Sequence, residues 1–286
     1  MTASTRADIP TARRIVVKVG SSSISGENSG KIPPIVDALA EAHGRGTEVV
    51  LVSSGAIATG MPYLRLDGRP SDLATQQAAA AVGQNVLIYR YQESLRPFRI
   101  VAGQVLLTAG DLENPTPRSN ARRAMERLLG LRIMPIVNEN DTVATHEIRF
   151  GDNDRLAALV AQLIGADALV LLSDIECLYT RPPDQPGALP ISHVAYGDDL
   201  HGYEFGSVVV NSVGTGGAAT KVSAARLAAA SGVGVLVTSA DLVGSALQGD
   251  EIGTWFAPHP SPAVVSLTGP IRRPVPAAHA VDTLGG

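Results

Sequence analysis

The sequence predicts an α/β fold, a three-layer αβα sandwich around a mostly parallel sheet. Three observations predict it: apolar runs of strand length alternate with segments of helical period, those runs are apolar on both faces, and polar residues gather where the runs end. Strands covered by helices on both faces read as continuous apolar runs, whereas a half-exposed strand alternates with polar residues.

The alternation starts with a strand over 15–19, a helix over 35–43 and a strand over 49–52. A long amphipathic stretch over 73–95 precedes a strand over 100–107, and a helix over 119–129 precedes one over 133–137. A helix over 153–164 precedes a strand over 168–172. Strand-like residues 207–213 then lead into a glycine loop and a helix, with a further strand over 233–237. Between Asp141 and Asp154 the pattern breaks, and 142–150 alternates as a short hairpin does. Asp152 suits the cap of the helix that follows. From Pro258 onward six prolines occur in 29 residues, so the folded domain is expected over 13–258 and a loose Pro-rich tail over 259–286.

With 286 residues, 45% of them hydrophobic, the chain is long enough to bury a large core. A net charge of -4, with no basic block longer than Arg122-Arg123 or Arg272-Arg273, argues against a general nucleic-acid or membrane-surface binder. The single cysteine, Cys177, leaves neither a disulfide framework nor a thiol set for zinc, which fits the cytoplasm. Residues 1–12 lack the apolar stretch of a signal peptide, and no run is long enough to span a membrane.

The most informative stretch is Val213-Gly214-Thr215-Gly216-Gly217-Ala218-Ala219-Thr220-Lys221. Close glycines let backbone N–H groups approach an anion, Thr215 and Thr220 can add hydroxyl donors, and Lys221 brings a compact charge to phosphate oxygens. Gly214-x-Gly216-x-x-Ala219 also fits the short dinucleotide fingerprint, but the nearest acid past the second strand, Asp241, comes late. A plain strand-to-helix glycine loop is the third reading. Other polar residues follow strands: Gly20-Ser21-Ser22-Ser23, Ser53-Ser54-Gly55-Ala56, Asn138-Glu139-Asn140-Asp141 and Ser173-Asp174. Each alone is ordinary turn chemistry, but several at one sheet edge describe a ligand site.

Taken together, these segments resemble the glutamate-phosphorylating members of the amino acid kinase family, over roughly residues 14–258. The matching pieces run in the family's order: Val16-Val17-Lys18-Val19-Gly20-Ser21-Ser22, Val52-Ser53-Ser54-Gly55-Ala56-Ile57-Ala58, Gln76 to Gln84, Val137-Asn138-Glu139-Asn140-Asp141, Ile148 to Asp154, Leu172-Ser173-Asp174 and Gly214 to Lys221. No Walker sequence and no protein-kinase signature is present.

The resemblance implies transfer of the γ-phosphoryl group of ATP, with Mg2+, to the side-chain carboxylate of L-glutamate, the first step of proline biosynthesis. It implies that Lys18 and Lys221 hold the transferring phosphoryl oxygens and that Asp154 positions both ammonium groups. Ser54, Asp141 and Asn153 match the glutamate-binding positions. Lys18, Gly20, Ser173, Asp174, Thr215, Gly216, Gly217, Ala218, Ala219, Thr220 and Lys221 match the ATP site. No dedicated metal cage is expected, since magnesium bridges the phosphates. The resemblance further implies a homo-oligomer and handover of product to glutamyl phosphate reductase. The chain departs from the pattern at Ala218, where most members carry methionine, and at Glu176-Cys177, and it leaves no room for the C-terminal PUA domain many members have. A non-catalytic amino-acid or ATP sensor, or another phosphotransferase of the same family, stays open on these residues.

Overall fold

The computed structural model of the chain describes residues 2–143, 153–204 and 217–260. The expected strand over 207–213, the loop residues Gly214 to Gly216, most of the 142–150 hairpin, Asp152 and the tail beyond 260 lie outside the described residues.

The chain begins with a short 3-10 helix, Arg6–Thr11, that leads into β1 (Arg14–Val19), α1 (Ile32–Gly44) and β2 (Glu48–Val52). The five-residue α2 (Ala56–Gly60) precedes the long α3 (Leu73–Leu95), β3 (Ala102–Leu107), α4 (Ala109–Glu113) and α5 (Pro115–Gly130). Next come β4 (Met134–Glu139), α6 (Asn153–Ile164) and β5 (Ala168–Ser173), then the short strands β6 (Leu178–Tyr179), β7 (Pro190–Ile191) and β8 (His193–Val194). The last elements are α7 (Ala218–Ala230), β9 (Gly234–Ser239), α8 (Val243–Gln248) and β10 (Thr254–Phe256).

Eight strands form one sheet in the order β3-β4-β2-β1-β5-β9-β10-β8, while β6 and β7 pair separately. Every neighbouring pair in the large sheet is parallel except β9 with β10. The fold is therefore the expected αβα sandwich. Side chains alternate across β1: Ile15, Val17 and Val19 pack with α1, α3 and α8, whereas Val16 packs with α5, α6 and α7 on the other face. All six residues of β1, β5 and β9 are buried, and each fully buried aliphatic side chain contributes about 1.5 to 3 kcal/mol of transfer free energy.

Period-two alternation has a consequence for the one charged residue inside β1. Lys18 shares the face of Val16, so it points toward α6 and α7.

Two glycine contacts fix the loop after β2. Gly55 adopts φ +83, and a Cβ there would stand 2.9 Å from Ser25 Oγ and 3.3 Å from Ser21 Cβ. Both its conformation and its surroundings demand glycine. One turn later, a Cβ on Gly60 would lie 1.9 Å from the Ala79 carbonyl oxygen, and one on Gly83 would lie 1.8 Å from that of Ala56. Backbone thus meets backbone where α2 crosses α3, which seats α2 and the Ser53-Ser54-Gly55 turn that feeds it.

Candidate active site

Chain connections leave β1 toward β2 on one side and β5 toward β9 on the other, so β1 and β5 flank a reversal of strand order. Crevices at such points, beyond the carboxyl ends of strands, are where open α/β sheets bind ligands. Gly20 and Ser173 lie side by side at this edge, since Val19 pairs with Leu172. The start of α6 faces the same edge.

Asp154, the second residue of α6, is fully buried and carries an ion pair on each carboxylate oxygen. Lys18 Nζ lies 2.5 Å from Oδ1 and Lys221 Nζ lies 3.1 Å from Oδ2. The lysines are only 2% and 7% exposed, so these three charges are out of water. Such burial costs several kcal/mol per ion unless partners compensate, and here one carboxylate compensates two cations. Two ammonium groups against one carboxylate leave a positive balance, an arrangement suited to an incoming polyanion.

Asn153 precedes Asp154 and faces a second cluster. Its Nδ2 donates to the Ser53 carbonyl oxygen at 2.7 Å, to Asn138 Oδ1 at 2.8 Å and to Ser54 Oγ at 3.1 Å. The carbonyl acceptor fixes which end of the amide points there, because only nitrogen can donate. Asn138 Oδ1 also accepts the Glu139 backbone N–H at 2.9 Å. One helix start therefore serves both clusters: Asp154 gathers the lysines, and Asn153 gathers the tips of β2 and β4. Asp141 is half-buried in the turn after β4.

The other expected residues that the structure describes lie at the same edge. Ser173 is buried and its hydroxyl donates to Asp174 Oδ1 at 3.0 Å, while Asp174 is exposed. Gly217 precedes α7, with Ala218, Ala219 and Thr220 in its first turn ahead of Lys221. Thr220 Oγ1 donates to the Gly217 carbonyl at 2.8 Å and accepts the Gly217 N–H at 3.1 Å. Its hydroxyl closes the helix start, a use the sequence reading did not assign. Thr215 and Gly216 lie outside the described residues. Among the described residues, no three His, Cys, Asp or Glu side chains converge where a metal ion could sit. No described helix is long and apolar enough to cross a membrane.

The structure thus brings Lys18, Asp154 and Lys221 into one junction and Ser54 and Asn153 into another. It adds Ser53 and Asn138, which the sequence reading quoted in motifs without assigning them. Asn138 was expected beyond its strand, yet it lies within β4, paired with Leu106 of β3. An amide inside an otherwise apolar strand end was the signal that could have singled it out.

Comparison with known proteins identifies the family of the chain. The model of the amino acid kinase family matches residues 13–239. The chain is 72% identical over 258 residues to a glutamate 5-kinase of Clavibacter michiganensis subsp. michiganensis, aligning 90% of this chain with 99% of that one. It is 71% identical over 266 residues to a glutamate 5-kinase of Leifsonia xyli subsp. xyli, covering 93% and 98% of the two chains. A glutamate 5-kinase of Thermobifida fusca is 54% identical over 258 residues, which are 89% of this chain and 66% of that longer one. Among solved structures, a carbamate kinase from Giardia lamblia bound to AMP-PNP superposes with a TM-score of 0.64 over 87% of this chain and 100% of that one. At 15% identity that likeness speaks for the fold alone. With a family model spanning most of its length and relatives this similar, the chain belongs to the amino acid kinase family.

Proposed function

We propose that the chain is a glutamate 5-kinase, transferring the γ-phosphoryl group of ATP to the side-chain carboxylate of L-glutamate to give L-glutamyl 5-phosphate, the entry to proline biosynthesis. The carrying observation is the buried Lys18–Asp154–Lys221 junction beside the Ser54–Asn153 contact, in a chain 72% identical to a glutamate 5-kinase.

The chemistry suits these residues. A carboxylate is already ionised at neutral pH, so no general base is needed, and the barrier lies in bringing anions into line and neutralising charge on the transferring group. Lys18 and Lys221 supply that neutralisation from opposite sides of Asp154, which holds both ammonium groups in place before substrate arrives. Such preorganisation avoids reorganisation cost during the transfer. Ser54 and Asn153 hold glutamate, with Asp141 facing its ammonium group. Gly20, Ser173, Asp174 and residues 215–221 hold ATP. The Asp154 carboxylate is engaged by Lys18 and Lys221, so magnesium would come with ATP and would lower the repulsion among the phosphates. We place the enzyme in the cytoplasm as a homo-oligomer that passes its labile acyl phosphate to glutamyl phosphate reductase.

Purified protein with ATP, magnesium and L-glutamate should form glutamate-dependent hydroxamate when hydroxylamine traps the acyl phosphate. Aspartate and N-acetylglutamate should give far less. Ligand binding by calorimetry with no hydroxamate from any of these acids would instead make the chain a sensor and overturn the proposal.

A further inference from the structure

Ser53 stands at the carboxyl tip of β2 and bonds to both helical layers at once. Its carbonyl accepts from Asn153 of α6 at 2.7 Å, and its hydroxyl lies 3.0 Å from the Tyr91 hydroxyl of α3, on the opposite side of the sheet. Both Ser53 and Tyr91 are 1% exposed. Ser53 Oγ also donates to the Ser54 carbonyl at 3.3 Å. That contact uses the single hydroxyl proton of Ser53, so Tyr91 is the donor in their pair. Burial pushes the Tyr91 phenol well above its ordinary value, which keeps the donor protonated across the working pH range.

The chain of bonds ends at the peptide between Ser54 and Gly55, whose left-handed conformation starts α2. Beside it, a cavity of about 10 Å³, enough for roughly one water, is lined by Ser53, Gln84, Tyr91 and Asn138 among others. Asn138 Nδ2 is buried and has no hydrogen-bond partner among the described residues. The space behind the Ser53-Ser54 turn is therefore small and mixed, with Leu87, Ile88 and Ile136 beside the polar groups, and the Tyr91 hydroxyl is the group in it that bonds to Ser53.

We infer that Tyr91 is a positioning residue for the amino-acid substrate: through Ser53 it sets the turn that presents Ser54 Oγ and meets Asn153. This rests on the proposed glutamate-binding role of Ser54 and Asn153. Tyr91 is buried in the core on the α1 and α3 face of the sheet and acts through Ser53. Its effect is confined to the β2 tip, away from the Lys18–Asp154–Lys221 junction.

The test is steady-state kinetics of the full chain with ATP, magnesium and L-glutamate. Tyr91→Phe removes only the hydroxyl and should raise the glutamate KM about three- to tenfold, the range of one hydrogen bond, with kcat and the ATP KM near wild type. Ser53→Ala removes the other side of the bond and should do the same. The double variant should cost no more than the larger single change, because both break one linkage. An unchanged glutamate KM in Tyr91→Phe, additive effects in the double variant, or an equal rise in both KM values would overturn the inference. If Tyr91→Phe is not recovered folded, Ser53→Ala decides alone. A wild type inactive on glutamate sinks the functional reading, whereas an active wild type with an indifferent Tyr91→Phe sinks only this one.

Discussion

Lys18 and Lys221 meet on the two oxygens of one carboxylate, that of Asp154. The first comes from the central strand and the second from the first turn of α7, yet both are buried against the start of α6. Their contributions are unequal when one member is removed. Loss of either lysine leaves a matched pair, whereas loss of Asp154 leaves two buried cations.

Asp154→Ala should therefore be the most destabilising change in the junction, by about 3 to 5 kcal/mol in urea unfolding. Saturating ATP should restore part of this, since phosphates supply the missing negative charge and a ligand at about 100 times its Kd adds roughly 2.7 kcal/mol. The double variant Asp154→Ala/Lys221→Ala should cost less than the two single changes added together, because the second removes one of the two cations that had shared the Asp154 carboxylate. A stability equal to wild type in Asp154→Ala would mean that Asp154 is not what compensates the two buried lysines.

Lys221→Ala should fold, because Asp154 keeps Lys18. Its kcat should fall by roughly 10²- to 10³-fold with a smaller change in glutamate KM, the pattern of a contact made chiefly in the transition state. Lys221→Arg should restore little, since a planar fork cannot replace a compact ammonium 3.1 Å from Asp154 Oδ2. Near-normal turnover of Lys221→Ala at an unchanged Tm would reduce Lys221 to a structural partner of Asp154.

Much of this was legible because the relevant physics is local. The long helix was read over its full extent, 73–95, where the Asp72 side chain accepts the Thr75 N–H at 2.8 Å and caps the start. The apolar runs of β1, β2 and β5 likewise announced themselves. Less local features did not. β8 and β10 are two and three residues long and find their places only by pairing, β10 antiparallel to β9. The domain was expected to start at residue 13, yet the segment before it is packed on the fold: Ile9 is buried, Arg6 Nη1 donates to the Ile252 carbonyl at 2.7 Å and Trp255 Nε1 donates to the Ser4 carbonyl at 3.2 Å. At the site, lysines and acids in motifs could be singled out, but the linkage Tyr91–Ser53–Asn153 crosses the sheet and has no sequence period.

His43, near the end of α1, should make stability pH-dependent. Burial, and then the Arg132 guanidinium, lower its pKa from 6.5, although the Arg132 carbonyl opposes them. Arg132 Nη2 donates toward His43 Nδ1 at 3.2 Å, so Nε2 carries the proton and faces the Arg132 carbonyl at 3.2 Å, the neutral form. Below 6.5 the unfolded chain takes up a proton that the native state refuses, and stability must fall until the lower native value is passed. His43→Gln should flatten the loss of Tm between about pH 7.5 and about pH 5. An identical slope in wild type and variant would remove His43 as its source.

Gly83, within α3, should resist replacement by alanine, although alanine is the better helix former by about 1 kcal/mol. A Cβ there would stand 1.8 Å from the Ala56 carbonyl oxygen, 2.7 Å from its carbon and 2.8 Å from the Gly60 nitrogen. All three are backbone atoms, so no side chain can rotate away, and overpacking of this kind typically costs about 1 to 3 kcal/mol or more. The steric term wins over the propensity term. Relief requires α2 to move, and α2 follows directly from the Ser53-Ser54-Gly55 turn, so Gly83→Ala should lower Tm and raise the glutamate KM more than the ATP KM. Gly244, exposed in α8 with nothing within 4 Å of its would-be Cβ, is the control. Gly244→Ala should gain up to about 1 kcal/mol from propensity alone. Equal Tm values for Gly83→Ala and wild type would show that α2 and α3 separate at no cost, and the backbone contact would then play no part in seating the amino-acid pocket.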